Sequence, residues 1–174
     1  MALLAEEIVE EWLNRKGYFT IRGIKLGVHE IDLLALAAEG GSIRARHIEV
    51  QASVRPISYF APLPKEDQRA LQRAPHNAAA RTPEQMRAGV KEWVDKKYHH
   101  REKEQLRQAL YRGKWEFELV VHKLKYPEEV PLIEEHHIRV WRLADIVADM
   151  SSPGNLVKSA AGTDLLDLVM LQAR

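Results

Sequence analysis

Residues 28–53 read VHEIDLLALAAEGGSIRARHIEVQAS, and the acids in this stretch decide how the chain is read. Glu30 and Asp32 lie in one apolar run and Glu49 in the next, with Glu39, Gly40 and Gly41 between them. Short apolar runs on either side of a glycine turn predict strands over 30–37 and 43–52. An isolated carboxylate in a buried strand is among the least favourable groups a core can hold, so these acids need a partner. Alternate strand residues share a face about 6.6 Å apart, which groups Glu30 with Asp32, and His47 with Glu49 and Gln51. If the two strands are neighbours, Asp32 and Glu49 converge at one point. Carboxylate oxygens so placed suit a hard divalent cation, Mg²⁺ above all.

Working outward, Ile8, Val9, Trp12 and Leu13 recur at helical spacing over 5–16, and Gly17 follows where a helix commonly stops. Residues 18–24 read as a further strand, so the chain opens helix, strand, strand, strand. Prolines at 56, 62, 64, 75 and 83 break the pattern over 54–83, which reads as an irregular excursion with a short helix near 67–73. Thr82, Pro83 and Glu84 look like the cap, first-turn proline and early acid of a long helix to about Tyr111, with a break near His99. Residues 115–123 and 137–141 read as strands and 143–150 as a short helix. The segment 151–174 carries an apolar stretch, TDLLDLVMLQAR, expected to pack as a helix on the 1–150 core or on a second subunit.

Composition excludes several chemistries. The chain has 174 residues and no cysteine, so disulfides, thiolate metal sites and a cysteine nucleophile are out, and any metal must sit on oxygen or imidazole. No run approaches the ~20 apolar residues of a membrane span, and the glutamate-rich start is unlike a signal peptide, so a cytoplasmic protein is expected. The net charge of +1 hides a distribution: acids gather near the start, while Lys and Arg dominate from Arg87 to Lys125. Such a block is either a solvated face or a nucleic-acid footprint. No Gly-x-Ser-x-Gly elbow or phosphate-cradling loop is present.

Three segments together, AEEIVEEWL followed by KGY, then EIDLLAL, then HIEVQ, resemble the PD-(D/E)XK nuclease superfamily, in particular its restriction-endonuclease-like and Holliday junction resolvase-like branch. The resemblance covers about the first third of the chain. It implies a restriction-endonuclease-like α/β/α sandwich around a mixed sheet, and Mg²⁺-dependent hydrolysis of DNA, with Mn²⁺ as a substitute. Carried over by residue, Glu6 takes the place of the helix glutamate, Asp32 of the central aspartate and Glu49 of the acid in the E-x-K element. Asp32 and Glu49 would hold the metal. Ile31 stands where proline is usual, and Gln51 where the family usually has lysine. Glutamine can orient a water by hydrogen bonds but supplies no charge. Lys91, Lys96 and Lys97 are the candidates for a cation that leans in to replace it.

DNA contacts are expected from Arg55, Lys65, Arg69, Arg87, Lys91, Lys96 and Lys97. A symmetric dimer is the simplest way to cut both strands of a duplex. The competing reading is a catalytically inactive nuclease-fold protein that binds DNA or a protein partner, which the missing lysine favours. Other features have plainer readings. Glu6, Glu7, Glu10 and Glu11 can all be the wet face of the first helix, Glu30 a salt-bridge partner, and His47 a neutral surface histidine. The pairs His99–His100 and His136–His137 lack metal-ligand spacing and are expected to be exposed. Trp12, Trp93 and Trp141 fit apolar stripes and are expected in the core.

Overall fold

The structure is a computed structural model and describes residues 2–53, 57–150 and 154–157. Its centre is a five-stranded sheet in the order β1 (Phe19–Leu26), β2 (His29–Glu39), β3 (Ser42–Gln51), β4 (Trp115–Val121), β5 (Ile138–Arg142). The β1–β2 and β2–β3 pairs are antiparallel, and β3–β4 and β4–β5 are parallel. Tight turns make the first two connections, while each parallel pair requires a crossover that lays helices on the sheet.

The helix α1 (Ala2–Arg15) buries Val9, Trp12 and Leu13 against Leu33, Ala35, Ile48 and Val50, with Ile146 and Met150 of and beyond α6 (Leu143–Asp149) beside them. It stops as its sequence predicts. Gly17 has φ +85°, its N–H donates to the Asn14 carbonyl at 2.9 Å, and the Tyr18 N–H donates to the Leu13 carbonyl at 3.0 Å. This is a Schellman cap, which needs a residue that accepts left-handed backbone. The opposite face of the sheet is covered by α3 (Pro83–Lys97) and α5 (Glu129–Glu134), where Val90, Trp93 and Val94 pack with Phe60, Leu119 and Ile133. The chain is therefore an α/β sandwich of the expected class.

Thr82 caps α3 in a reciprocal box with Gln85, and Pro83 opens the helix. The expected break near His99 is present and divides the long helix in two: α3 ends at Lys97 and α4 (Arg101–Leu110) begins after a corner at Tyr98–His100. Tyr98 makes the corner by turning into the core, where it is fully buried and its hydroxyl donates to the Glu118 carbonyl at 2.8 Å. The excursion holds a short helix, α2 (Lys65–Leu71), and is anchored by buried Phe60, Ala61 and Leu63. The Phe60 N–H donates to Glu129 Oε2 at 2.8 Å. α5 was not foreseen, since EVPLIE is short and contains a proline.

Trp12 and Trp93 are buried, and Trp141 packs edge-on against Trp12 with centroids 5.2 Å apart, in line with their reading as core. Of the segment 151–174, only residues 154–157 are described, so the expected C-terminal helix lies outside the described residues, as does Arg55. Among the described residues, no helix is long and apolar enough to cross a membrane.

Trp12 both fills the core and donates from Nε1 to Asp149 Oδ2 at 2.7 Å, joining α1 to α6. Trp12→Ala should cost about 3–5 kcal/mol of unfolding free energy, measured as a lowered urea midpoint with an unchanged slope.

Candidate functional site: a buried carboxylate under two lysines

β3 alternates as its sequence requires. Ile48 and Val50 pack toward α1, so His47 and Glu49 face α3 and α4. β2 is less regular. Ile31 and Leu34, three residues apart, are buried in the same cluster, while Leu33 packs on the α1 side, so the strand changes phase around Asp32. Its pairing with β3 ends at Leu33–Ile48, and beyond that point the Asp32 side chain takes over the ladder, with Oδ2 accepting from the Val50 N–H at 2.7 Å.

Glu49 has no exposed surface and both its oxygens are occupied. Oε2 accepts from Lys97 Nζ at 2.6 Å, and Oε1 accepts from Lys103 Nζ at 2.9 Å and from His47 Nε2 at 3.1 Å. Burial alone would raise its pKa, but the His47 hydrogen bond and the charges of Lys97, His47 and Lys103 together hold it down at about 2. His47 is fully buried rather than at the surface as expected from sequence. Its Nδ1 lies 2.9 Å from Arg107 Nη1, and a guanidinium can only donate, so Nδ1 accepts and Nε2 carries the proton given to Glu49. Burial keeps this imidazole neutral by pushing its pKa down to about 4.

The helix corner delivers the cations. Lys97 is the last residue of α3, and Lys103 lies in the first turn of α4 and also donates to the Lys97 carbonyl at 2.8 Å. Arg107, one turn on, donates to the Tyr98 carbonyl at 2.8 Å. These bonds satisfy carbonyls that the end of α3 would leave without partners. Burial lowers the pKa of both lysines; for Lys97 the charges of Glu49 and Asp32 overcome it and raise the pKa, whereas for Lys103 burial prevails. The Lys97 side chain keeps 28% exposure and Lys103 only 2%, so only Lys97 can readily swing away from Glu49.

Asp32 stands in the same field. Burial and then the charge of Glu49 push its pKa up to about 7, while Lys97 and the Val50 hydrogen bond oppose the shift. Two neighbouring carboxylic acids thus differ in charge near neutrality, since one has captured the cations. Glu6 is half-buried, and its pKa is raised by burial and then by Glu30, with Lys97 and Glu49 also acting on it. The other helix acids are engaged elsewhere: Glu10 and Glu7 pair with Arg22, and Glu11 with Arg15. Glu30 is exposed and contributes only its field. Gln51 ends β3 beside a hollow of about 320 Å³ lined by Val50, Ala52, Tyr59, Phe60 and His76, and no side-chain hydrogen bond joins it to Asp32 or Glu49.

Of the described basic residues read as DNA contacts, Lys97 alone is drawn into this cluster. Arg87 pairs with Glu135 and Lys91 with Asp95, while Lys65, Arg69 and Lys96 are exposed. Lys103 and Arg107 were missed; their only signal was an i, i+4 pair of cations on a helix face otherwise read as solvated. The histidine pairs divide: His99 and His137 are exposed as expected, but His100 and His136 are half-buried, and His100 stacks on His29 with centroids 3.6 Å apart. Comparison with family models, with curated proteins and with solved structures finds no match to this chain.

The Asp32 shift has a signed consequence. An acid whose pKa is raised on folding binds its proton more tightly in the folded state, so its contribution to stability falls as pH rises from about 4 to about 7. Asp32→Asn keeps an acceptor for Val50 and should remove that fall, gaining on the order of 2–4 kcal/mol at pH 8 and little at pH 4. Urea unfolding of both proteins across this range measures it.

Proposed function

We propose that the chain is a metal-dependent nuclease of the PD-(D/E)XK type that hydrolyses phosphodiester bonds in DNA, with Asp32 and Glu49 at its centre. The observation that carries this reading is the electrostatic meeting of Asp32 and Glu49 on adjacent strands, with Lys97 bound to one and acting on both. The donor set fits a hard cation. Asp32 is buried beyond what its neighbours neutralise, and the Glu49 oxygen now held by Lys97 is the one whose partner can leave. Asp32 and Glu49 would hold the ion, which when bound supplies charge neutralisation at a phosphate and acidity to a water.

The chain's own groups account for the rest. Lys97, released from Glu49, offers the ammonium that Gln51 lacks, from a helix rather than from the strand. Lys103, with His47 and Arg107 behind it, keeps Glu49 ionised and fixed. Glu6 lies at the rim, where its raised pKa leaves it able to exchange a proton. Gln51, which lines a hollow at the end of β3, would hold a water or a substrate oxygen by hydrogen bonds.

One observation favours the inactive alternative, a binding module for DNA or protein: Glu49 is already matched within the chain by Lys97, Lys103 and His47. Cleavage of plasmid and branched DNA with Mg²⁺ or Mn²⁺ separates the two. Asp32→Ala and Glu49→Ala should abolish both cleavage and metal binding. Lys97→Ala should slow cleavage by about 100-fold or more while leaving metal affinity intact or improved, because it frees a Glu49 oxygen. Gln51→Ala should slow cleavage without weakening metal binding, and Gln51→Lys should be tolerated. A wild type that neither cuts nor binds these ions supports the binding module.

A further inference from the structure

A second constellation of ligating side chains shares no residue with the Asp32–Glu49 cluster. His29 begins β2 at the tip of the β1–β2 hairpin, His100 is the residue before α4, and Glu102 lies in the first turn of α4. One nitrogen from each imidazole and one oxygen of Glu102 all lie within 4.8 Å of one another. The imidazoles stack at 3.6 Å between centroids with planes 33° apart, and His100 Nδ1 is buried without a hydrogen-bond partner. His47 shows the contrast, since both of its nitrogens are engaged within the fold. Lys103, the residue after Glu102, has its charge committed to Glu49.

We infer that His29, His100 and Glu102 form a binding site for a borderline transition ion of the Zn²⁺ or Co²⁺ class, separate from the proposed Mg²⁺ centre. Imidazole nitrogens select such ions over Mg²⁺, which prefers an all-oxygen shell. Three protein ligands leave a fourth, open position. Zn–N bonds of about 2.0–2.1 Å require the three groups to draw together slightly, which the exposed Glu102 side chain allows. The ion would fasten the hairpin tip to the start of α4, the helix that carries Lys103 to Glu49.

The test is titration of the full chain with Co²⁺, followed by its visible absorption, and with Zn²⁺ by calorimetry. The wild type should take up one equivalent that excess Mg²⁺ does not displace. His29→Ala and His100→Ala should each weaken it by at least about 100-fold, more than the loss of an outer-shell group would. Asp32→Ala should retain it. Circular dichroism checks that the variants fold, and His29, at a hairpin tip, gives an independent reading should His100→Ala disturb the helix corner. Amide exchange at residues 27–30 should slow when Zn²⁺ is added. Uptake of Co²⁺ through the two histidines by a chain that cuts no DNA would sustain this site while removing the nuclease reading. No saturable Co²⁺ binding, or binding unchanged in both histidine variants, would overturn it.

Discussion

A carboxylate with no exposed surface, Glu49, sets the terms for much of this molecule. Removing a lone charge from water costs several kcal/mol, and breaking a buried pair by deleting one partner is worse than never having had it. Glu49 therefore has to be met on both oxygens. The chain meets it with Lys97, Lys103 and a neutral His47, and Arg107 fixes His47 in turn. Each of these residues can reach only because the element that carries it bends or ends at a particular place.

The corner between α3 and α4 is the clearest case. A continuous helix through residues 83–110 would set Lys97 and Lys103 about 240° apart around its axis, so the two could not both face Glu49. Burying Tyr98 breaks the helix, and the break aims the end of one helix and the start of the next at the same carboxylate. Lys103 and Arg107 then serve two purposes, because they also satisfy backbone carbonyls at the corner. Asp32 marks a second local irregularity. Where β2 leaves register with β3, its side chain takes the hydrogen bond that a backbone carbonyl would otherwise accept. With the cations gathered on Glu49, Asp32 is left partly protonated near neutral pH, and that inequality between two neighbouring acids is the chemical character of the site.

The surface arrangement is less specialised. Arg87 with Glu135 and Lys91 with Asp95 are exposed pairs of the kind that add little to stability. The buried ion pair of Arg46 with Glu118, which also receives the Trp141 indole N–H at 2.7 Å, instead ties β3, β4 and β5 together beneath α1. The basic block from Arg87 to Lys125 itself divides into charges spent on neighbouring acids, as at Arg87 and Lys91, charges buried against the sheet, as at Lys103 and Arg107, and exposed ones such as Lys96.

The sequence by itself determined the elements whose signals are local: α1 with its glycine stop, the three opening strands, the Thr82–Pro83 start of α3, and the last strand and helix. Apolar periodicity and capping chemistry act within a few residues, so they can be read without knowing the fold. It also singled out Asp32 and Glu49, because acids in apolar runs are conspicuous, and it named Lys97, which the structure binds to Glu49, among three candidate cations. Only the tertiary structure decided that His47 is buried, that Lys103 and Arg107 belong to the site, that Glu6 alone among the helix acids faces it, and that His29 meets His100. Those contacts join residues from 18 to 60 or more positions apart, as in Asp32 with Val50 and Arg107 with His47. Long-range meetings depend on how Tyr98 turns the chain and where β2 loses register; the sequence marks a break near His99, but neither the direction of that turn nor the loss of register is encoded in the period of any single segment.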